Sequence, residues 1–82
     1  MNIEKIAQPI RVLAAFSGGQ ARPVRFHWAG RTYCVQAVNG QWVDRTGEGY
    51  SLHYSLQSGS ETYHLHFDSR QVQWWLDEVI VE

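Results

Sequence analysis

From residue 22 onward the chain alternates between apolar and polar residues with a period of two, the signature of strands with one buried face. Val24, Phe26 and Trp28 alternate with Arg25 and His27, and after Ala29-Gly30 the residues Tyr33, Val35 and Ala37 alternate with Thr32, Cys34 and Gln36. A two-residue Ala-Gly loop sets Trp28 opposite Arg31, Phe26 opposite Tyr33 and Val24 opposite Val35, so the apolar faces coincide. Tyr50, Leu52, Tyr54 and Leu56 alternate with Ser51, His53 and Ser55, while Tyr63, Leu65 and Phe67 alternate with Thr62, His64 and His66. A Ser58-Gly59 loop predicts Tyr54 opposite Tyr63, Leu52 opposite Leu65, and His53 facing His64 on the other side. A tight turn over Asp68-Ser69-Arg70-Gln71 then pairs Phe67 with Val72, Leu65 with Trp74 and Tyr63 with Leu76, and leaves Trp75 on the far face beside His64.

The remaining elements follow from turn residues. Ile10 to Phe16 reads as a first strand that turns through a three-residue loop at Gly18-Gly19-Gln20 into the Pro23 strand. Asn39-Gly40 is a turn signal before a short strand at Gln41-Trp42-Val43. Asp44 to Gly49, with two glycines, is the expected mobile loop. The prediction is an all-β domain over residues 1–82: an N-terminal extension over 1–8, then an antiparallel meander of about six strands over 9–81. The meander is expected to curl into a small barrel or a strongly bent sheet, or to bury its face against a second copy.

Composition agrees with a folded chain. Of 82 residues, 44% are hydrophobic, 13% aromatic and 18% charged, which supplies the dense core a domain this short requires and excludes disorder. A single cysteine, Cys34, rules out an intramolecular disulfide and a Cys-based zinc site, and fits a reducing, cytoplasmic setting. No apolar run reaches the length of a membrane span and the N-terminus lacks a secretory apolar core, so no membrane association is expected.

A net charge of -1 conceals a division. Through Arg31 there are five basic residues (Lys5, Arg11, Arg22, Arg25, Arg31) against the single acid Glu4; from Thr32 onward Arg45 and Arg70 stand against seven acids. Such a split suits a polyanion or a complementary copy of the same chain, while charges that merely solvate different strands produce it too.

Three groups of residues carry candidate chemistry. His53, His64 and His66 converge in the predicted register, and three imidazoles can bind zinc, nickel or copper; solvated histidines on a strand give the same pattern. No cofactor is required by this spacing. Trp75 with His64, His53 and His66 forms a second candidate, a contact patch, because a tryptophan opposite the core is costly to leave in water. The competing expectation is that Ile3 and Ile6 of the N-terminal segment cover Trp75. Arg11 and Arg25, with Arg22 and Arg31 at the strand ends, form a basic face of the kind that holds single-stranded nucleic acid. Cys34 is predicted opposite Arg25 as a half-exposed structural thiol. The Gly-containing segments at Ser17-Gly18-Gly19 and Thr46-Gly47-Glu48-Gly49 precede no helix and read as turns rather than phosphate loops.

The run Pro23-Val24-Arg25-Phe26-His27-Trp28-Ala29-Gly30-Arg31-Thr32-Tyr33-Cys34-Val35, with Trp42, Tyr63-His64-Leu65-His66-Phe67-Asp68 and Trp74-Trp75-Leu76, resembles a family of small uncharacterised bacterial proteins. Its pattern is a Phe-x-Trp-x-Gly-Arg-x-Tyr-x-Val hairpin, a downstream Trp, a Tyr-x-Leu-x-Phe strand and a closing Trp-x-Leu strand. The resemblance spans most of the chain from Ile10 and implies an accessory role near translesion polymerases, with no catalytic residue to carry over. The expectation is a non-enzymatic interaction module, a homodimer or a protein-partner binder, with nucleic-acid binding and His-based metal or small-ligand binding as alternatives.

Overall fold

A computed structural model describes residues 1–45 and 47–82. Among these residues the chain forms seven antiparallel strands rather than about six: β1 (Asn2–Ser17), β2 (Gln20–Trp28), β3 (Arg31–Cys34), β4 (Ala37–Asp44), β5 (Ser51–Ser58), β6 (Glu61–Asp68) and β7 (Gln73–Val81). They make one sheet in the order β3-β2-β1-β7-β6-β5-β4. Two meanders, β1 to β3 and β4 to β7, are joined side by side through β1 and β7. Among the described residues no helix is long and apolar enough to cross a membrane.

The sheet curls into a half-barrel, and its connectivity explains why. β3 and β4 lie at opposite edges of the sheet, yet only Val35 and Gln36 separate them. The Val35 amide donates to the Val24 carbonyl of β2 and the next amide, of Gln36, to the Gln57 carbonyl of β5. Two adjacent residues thus tie the two edges, which a flat sheet of this width cannot allow. Inside the curve Ile10, Phe26, Tyr54, Leu56, Tyr63, Leu65, Trp74, Leu76 and Val79 form one core. Phe26 meets Tyr63 edge to face with ring centres 5.1 Å apart, and the Tyr54 hydroxyl donates to the Ala21 carbonyl, so β2 packs across the interior on β5 and β6. Burial raises the pKa of the Tyr54 and Tyr63 hydroxyls above the ordinary tyrosine value, Tyr63 also through its hydrogen bond to Glu61.

The β2–β3 register matches expectation, with Phe26 opposite Tyr33, Trp28 opposite Arg31 and Arg25 opposite Cys34. The next two hairpins are each displaced by two residues. Tyr54 faces Leu65 and Leu56 faces Tyr63, around a Gly59-Ser60 loop; Leu65 faces Leu76 and Phe67 faces Trp74, around a Ser69–Val72 loop. A slip of two keeps every side chain on its face, which is why alternation alone did not detect it. Asp68 opens the second loop by accepting from the amides of Arg70 and Gln71, and Val72 ends it with a φ of 52° and 74% exposure, outside the core.

Three further expectations are corrected. β1 begins at Asn2, so residues 2–9 are strand that pairs with β7. Ser17 pairs with Gln20 across a two-residue loop, Gly18-Gly19, with φ of 58° and 76°. This is the loop that the right-handed twist of a hairpin favours. Asn39-Gly40 lies inside β4 as a bulge, where the register against β5 jumps between Val38 and Gly40. Gly47 to Gly49 form a turn as expected, while Thr46 of the expected mobile loop lies outside the described residues.

Candidate functional site

The half-barrel has a convex face, and one row across it is aromatic. Trp42 on β4 pairs with His53 on β5, His53 with His66 on β6, His66 with Trp75 on β7, and Trp75 with Pro9 on β1. The rings are stacked: Trp42 on His53 at 5.3 Å and 8°, His53 on His66 at 5.2 Å and 25°, His66 on Trp75 at 6.2 Å and 8°. Neighbouring strands are about 4.8 Å apart, so parallel rings at these separations stand upright and face one another across the strands. The row therefore offers solvent mainly its ring edges, and the faces of His53 and His66 are spent within it. Trp42, at the free edge of the sheet, is 50% exposed.

A bulge on β7 brings carboxylates to this row. β6 pairs Leu65 with Leu76 and His64 with Glu78, which leaves Asp77 with no partner residue on β6. Leu76 and Val79 are both buried, so the extra residue turns two consecutive acids, Asp77 and Glu78, away from the core. The His66 Nδ1 lies 2.7 and 2.9 Å from the two Asp77 oxygens, and His64 Nδ1 lies 3.5 Å from Glu78, which also meets Lys5 at 3.7 Å. Because a carboxylate only accepts, the proton on Nδ1 of His66 is the one donated to Asp77. Partial burial, then the charge of His66, lowers the His53 pKa below its ordinary value of 6.5, against the opposing pull of Asp77 and Asp44.

The expected trio of histidines is not the one assembled. His53 faces His66 instead of His64, and Trp75 sits beside His66 instead of His64. His64 faces Ser55 and belongs with Glu78. The donor atoms that come together are those of His53, His66 and Asp77, all within 4.8 Å of one another. Asp77 and Trp42 were missed as members. A signal for Asp77 was present: Leu76-Asp77-Glu78-Val79 breaks the alternation by one residue, the mark of a bulge. The N-terminal segment does not fold over Trp75; it lies alongside β7 as a strand, with Ile3 exposed and Ile6 packed against the core.

The basic candidates divide. Arg11, Leu13, Arg25, His27 and Thr32 line a shallow depression on the convex side of β1 to β3, where Arg11 faces His27 and Leu13 faces Arg25. Arg22 is exposed farther along β2. Arg31 lies apart, with Tyr33, Glu61 and Tyr63 at the rim of the half-barrel. Cys34 is exposed, opposite Arg25. The charge division of the sequence thus becomes a division of the sheet, with Arg11, Arg22 and Arg25 on the first meander and Asp44, Asp77 and Glu78 on the second.

A family model described as a domain of unknown function (DUF6504) matches residues 1–72, and the chain belongs to that family. The matched stretch carries Trp42, His53 and His66 and ends before β7, which supplies Trp75 and Asp77. None of the curated proteins and none of the solved structures matches the chain.

Proposed function

We propose that this DUF6504 domain is a non-catalytic interaction module that pairs with a second copy of itself through its convex face. The observation that carries the reading is the Trp42–His53–His66–Trp75 row, drawn from four strands onto the solvent side of the sheet. Aromatic side chains on a rigid sheet cost little entropy to bury and are enriched at protein contacts. The second copy is favoured by charge. In a two-fold contact each patch meets its counterpart, so the Arg11–Arg25 half of one face can lie on the Asp77–Glu78 half of the other.

Nucleic-acid binding at this row is disfavoured by the same geometry. Bases stack on exposed ring faces, whereas here the rings face one another and the carboxylates acting on the row are those of Asp77 and Asp44. A role near DNA would have to rest on Arg11, Arg22 and Arg25.

Molar mass by light scattering across protein concentration and salt tests the proposal. It predicts a dimer that weakens as salt rises and that Trp42→Ala disrupts while the fold is retained by circular dichroism. A monomer at every concentration refutes it. Retention of single-stranded DNA by the monomer, lost with Arg25→Ala, transfers the function to the basic half.

A further inference from the structure

We propose that His53, His66 and Asp77 form a site for a divalent transition cation of the zinc class. This goes beyond the contact reading and does not depend on it. Two neutral imidazoles and a carboxylate are a donor set that zinc, cobalt and nickel accept, with open positions left for water or a partner's ligand. The three donors lie within 4.8 Å of one another, and ligands at 2.0–2.1 Å from a tetrahedral zinc are about 3.3 Å apart. Closing that gap asks for side-chain movement of about 1.5 Å or less, together with rotation of the His53 and His66 rings, 25° from parallel, so that their in-plane lone pairs converge.

What distinguishes this cluster from histidines scattered on a strand is how its members are held. Trp42 packs on the far side of His53 and Trp75 on the far side of His66, so both imidazoles are held next to each other between aromatic neighbours. The Trp75 indole is itself fixed, its Nε1 donating to the Gln71 side chain at 3.1 Å. Asp77 shares the outward phase of Trp75 two residues before it, and the bulge after Leu76 gives it no partner residue on β6 while its carboxylate meets the His66 ring. A simpler role, Asp77 serving only as the hydrogen-bond partner of His66, makes no use of His53, and this difference sets the test.

Tag-free protein stripped with a chelator is titrated with zinc by calorimetry, and separately with cobalt, whose visible absorption reports tetrahedral coordination. One zinc per chain is expected. His53→Ala, His66→Ala and Asp77→Asn should each weaken binding by at least about tenfold, the lower end of what losing even a ligand's hydrogen-bond partner costs. His64→Ala should leave binding unchanged, since His64 pairs with Glu78 outside the cluster. Asp77→Asn preserves the side-chain shape and keeps the test usable if a histidine variant misfolds. No zinc uptake, uptake that ignores His53, or equal loss with His64→Ala overturns the proposal. Light scattering on the same chelated samples tests self-association separately, so failure of one reading is distinguishable from failure of the other.

Discussion

Replacing Phe26 by alanine should remove a large part of the stability of the fold, because Phe26 joins the two meanders across the interior. Its side chain is 1% exposed, stacks on Tyr33 with ring centres 5.1 Å apart and meets Tyr63 at the same distance. Truncation of a buried phenylalanine costs about 3–5 kcal/mol, the removed transfer energy plus the cavity. An 82-residue domain has about 4–12 kcal/mol to lose. Urea unfolding followed by tryptophan fluorescence reads the change. With a slope near the lower end of ~1–3 kcal/mol/M, the midpoint should fall by about 2–4 M. Leu13→Ala is the control, since Leu13 is half exposed on the convex side of β1 and should change stability by no more than about 0.5–1 kcal/mol. If Phe26→Ala leaves no folded baseline, Phe26→Leu supplies one at a smaller loss. Phe26→Ala costing no more than Leu13→Ala would mean that β2 does not pack on β6 and that the sheet is not curled.

Other outcomes follow from single groups. Tyr54→Phe deletes the hydroxyl that donates to the Ala21 carbonyl across the interior and should cost about 1–2 kcal/mol in the same urea assay. Ala29 holds a φ of 52° in the β2–β3 turn, strain that glycine does not feel, so Ala29→Gly should stabilise by about 0.5–1 kcal/mol and raise the melting temperature. In chelated protein, His53 has a lowered folded-state pKa, so the unfolded chain takes up the proton first. Its effect on stability is absent well above pH 6.5 and turns unfavourable as pH falls through that value toward the folded pKa. His53→Gln should therefore flatten the acid side of the stability curve measured by urea midpoints from pH 8 to about pH 5.

The parts of the fold legible in the sequence are those where alternation and turn chemistry point to one answer. In the β2–β3 hairpin the Ala29-Gly30 loop brings Phe26 to Tyr33 and permits no second register with the same loop length. In the β5–β6 hairpin two loops were compatible with the faces. Glycine belongs at the first central position of a type II′ turn, and Gly59 with a φ of 62° takes that place before Ser60; placing it second shifts every pair by two. That one choice moved His53 from His66 to His64 and gave the wrong trio. The β6–β7 loop was longer than a tight turn because Asp68 caps the amides of Arg70 and Gln71. The union of β1 with β7 was not legible, since residues 2–9 carry little alternation and their pairing is set by the curl that brings β7 alongside. Trp75 on the outer face was readable from phase alone, while its place in a row with Trp42 required the strand order.

The central claim, that the convex aromatic row is a self-contact, is tested most directly by the molar mass of the chelated protein in solution. The 9.5 kDa chain should scatter as a species of twice its mass at low salt, and Trp42→Ala should return it to a monomer with an unchanged circular dichroism spectrum. A wild-type protein that stays at the mass of one chain at every concentration, or a dimer indifferent to Trp42, would contradict it.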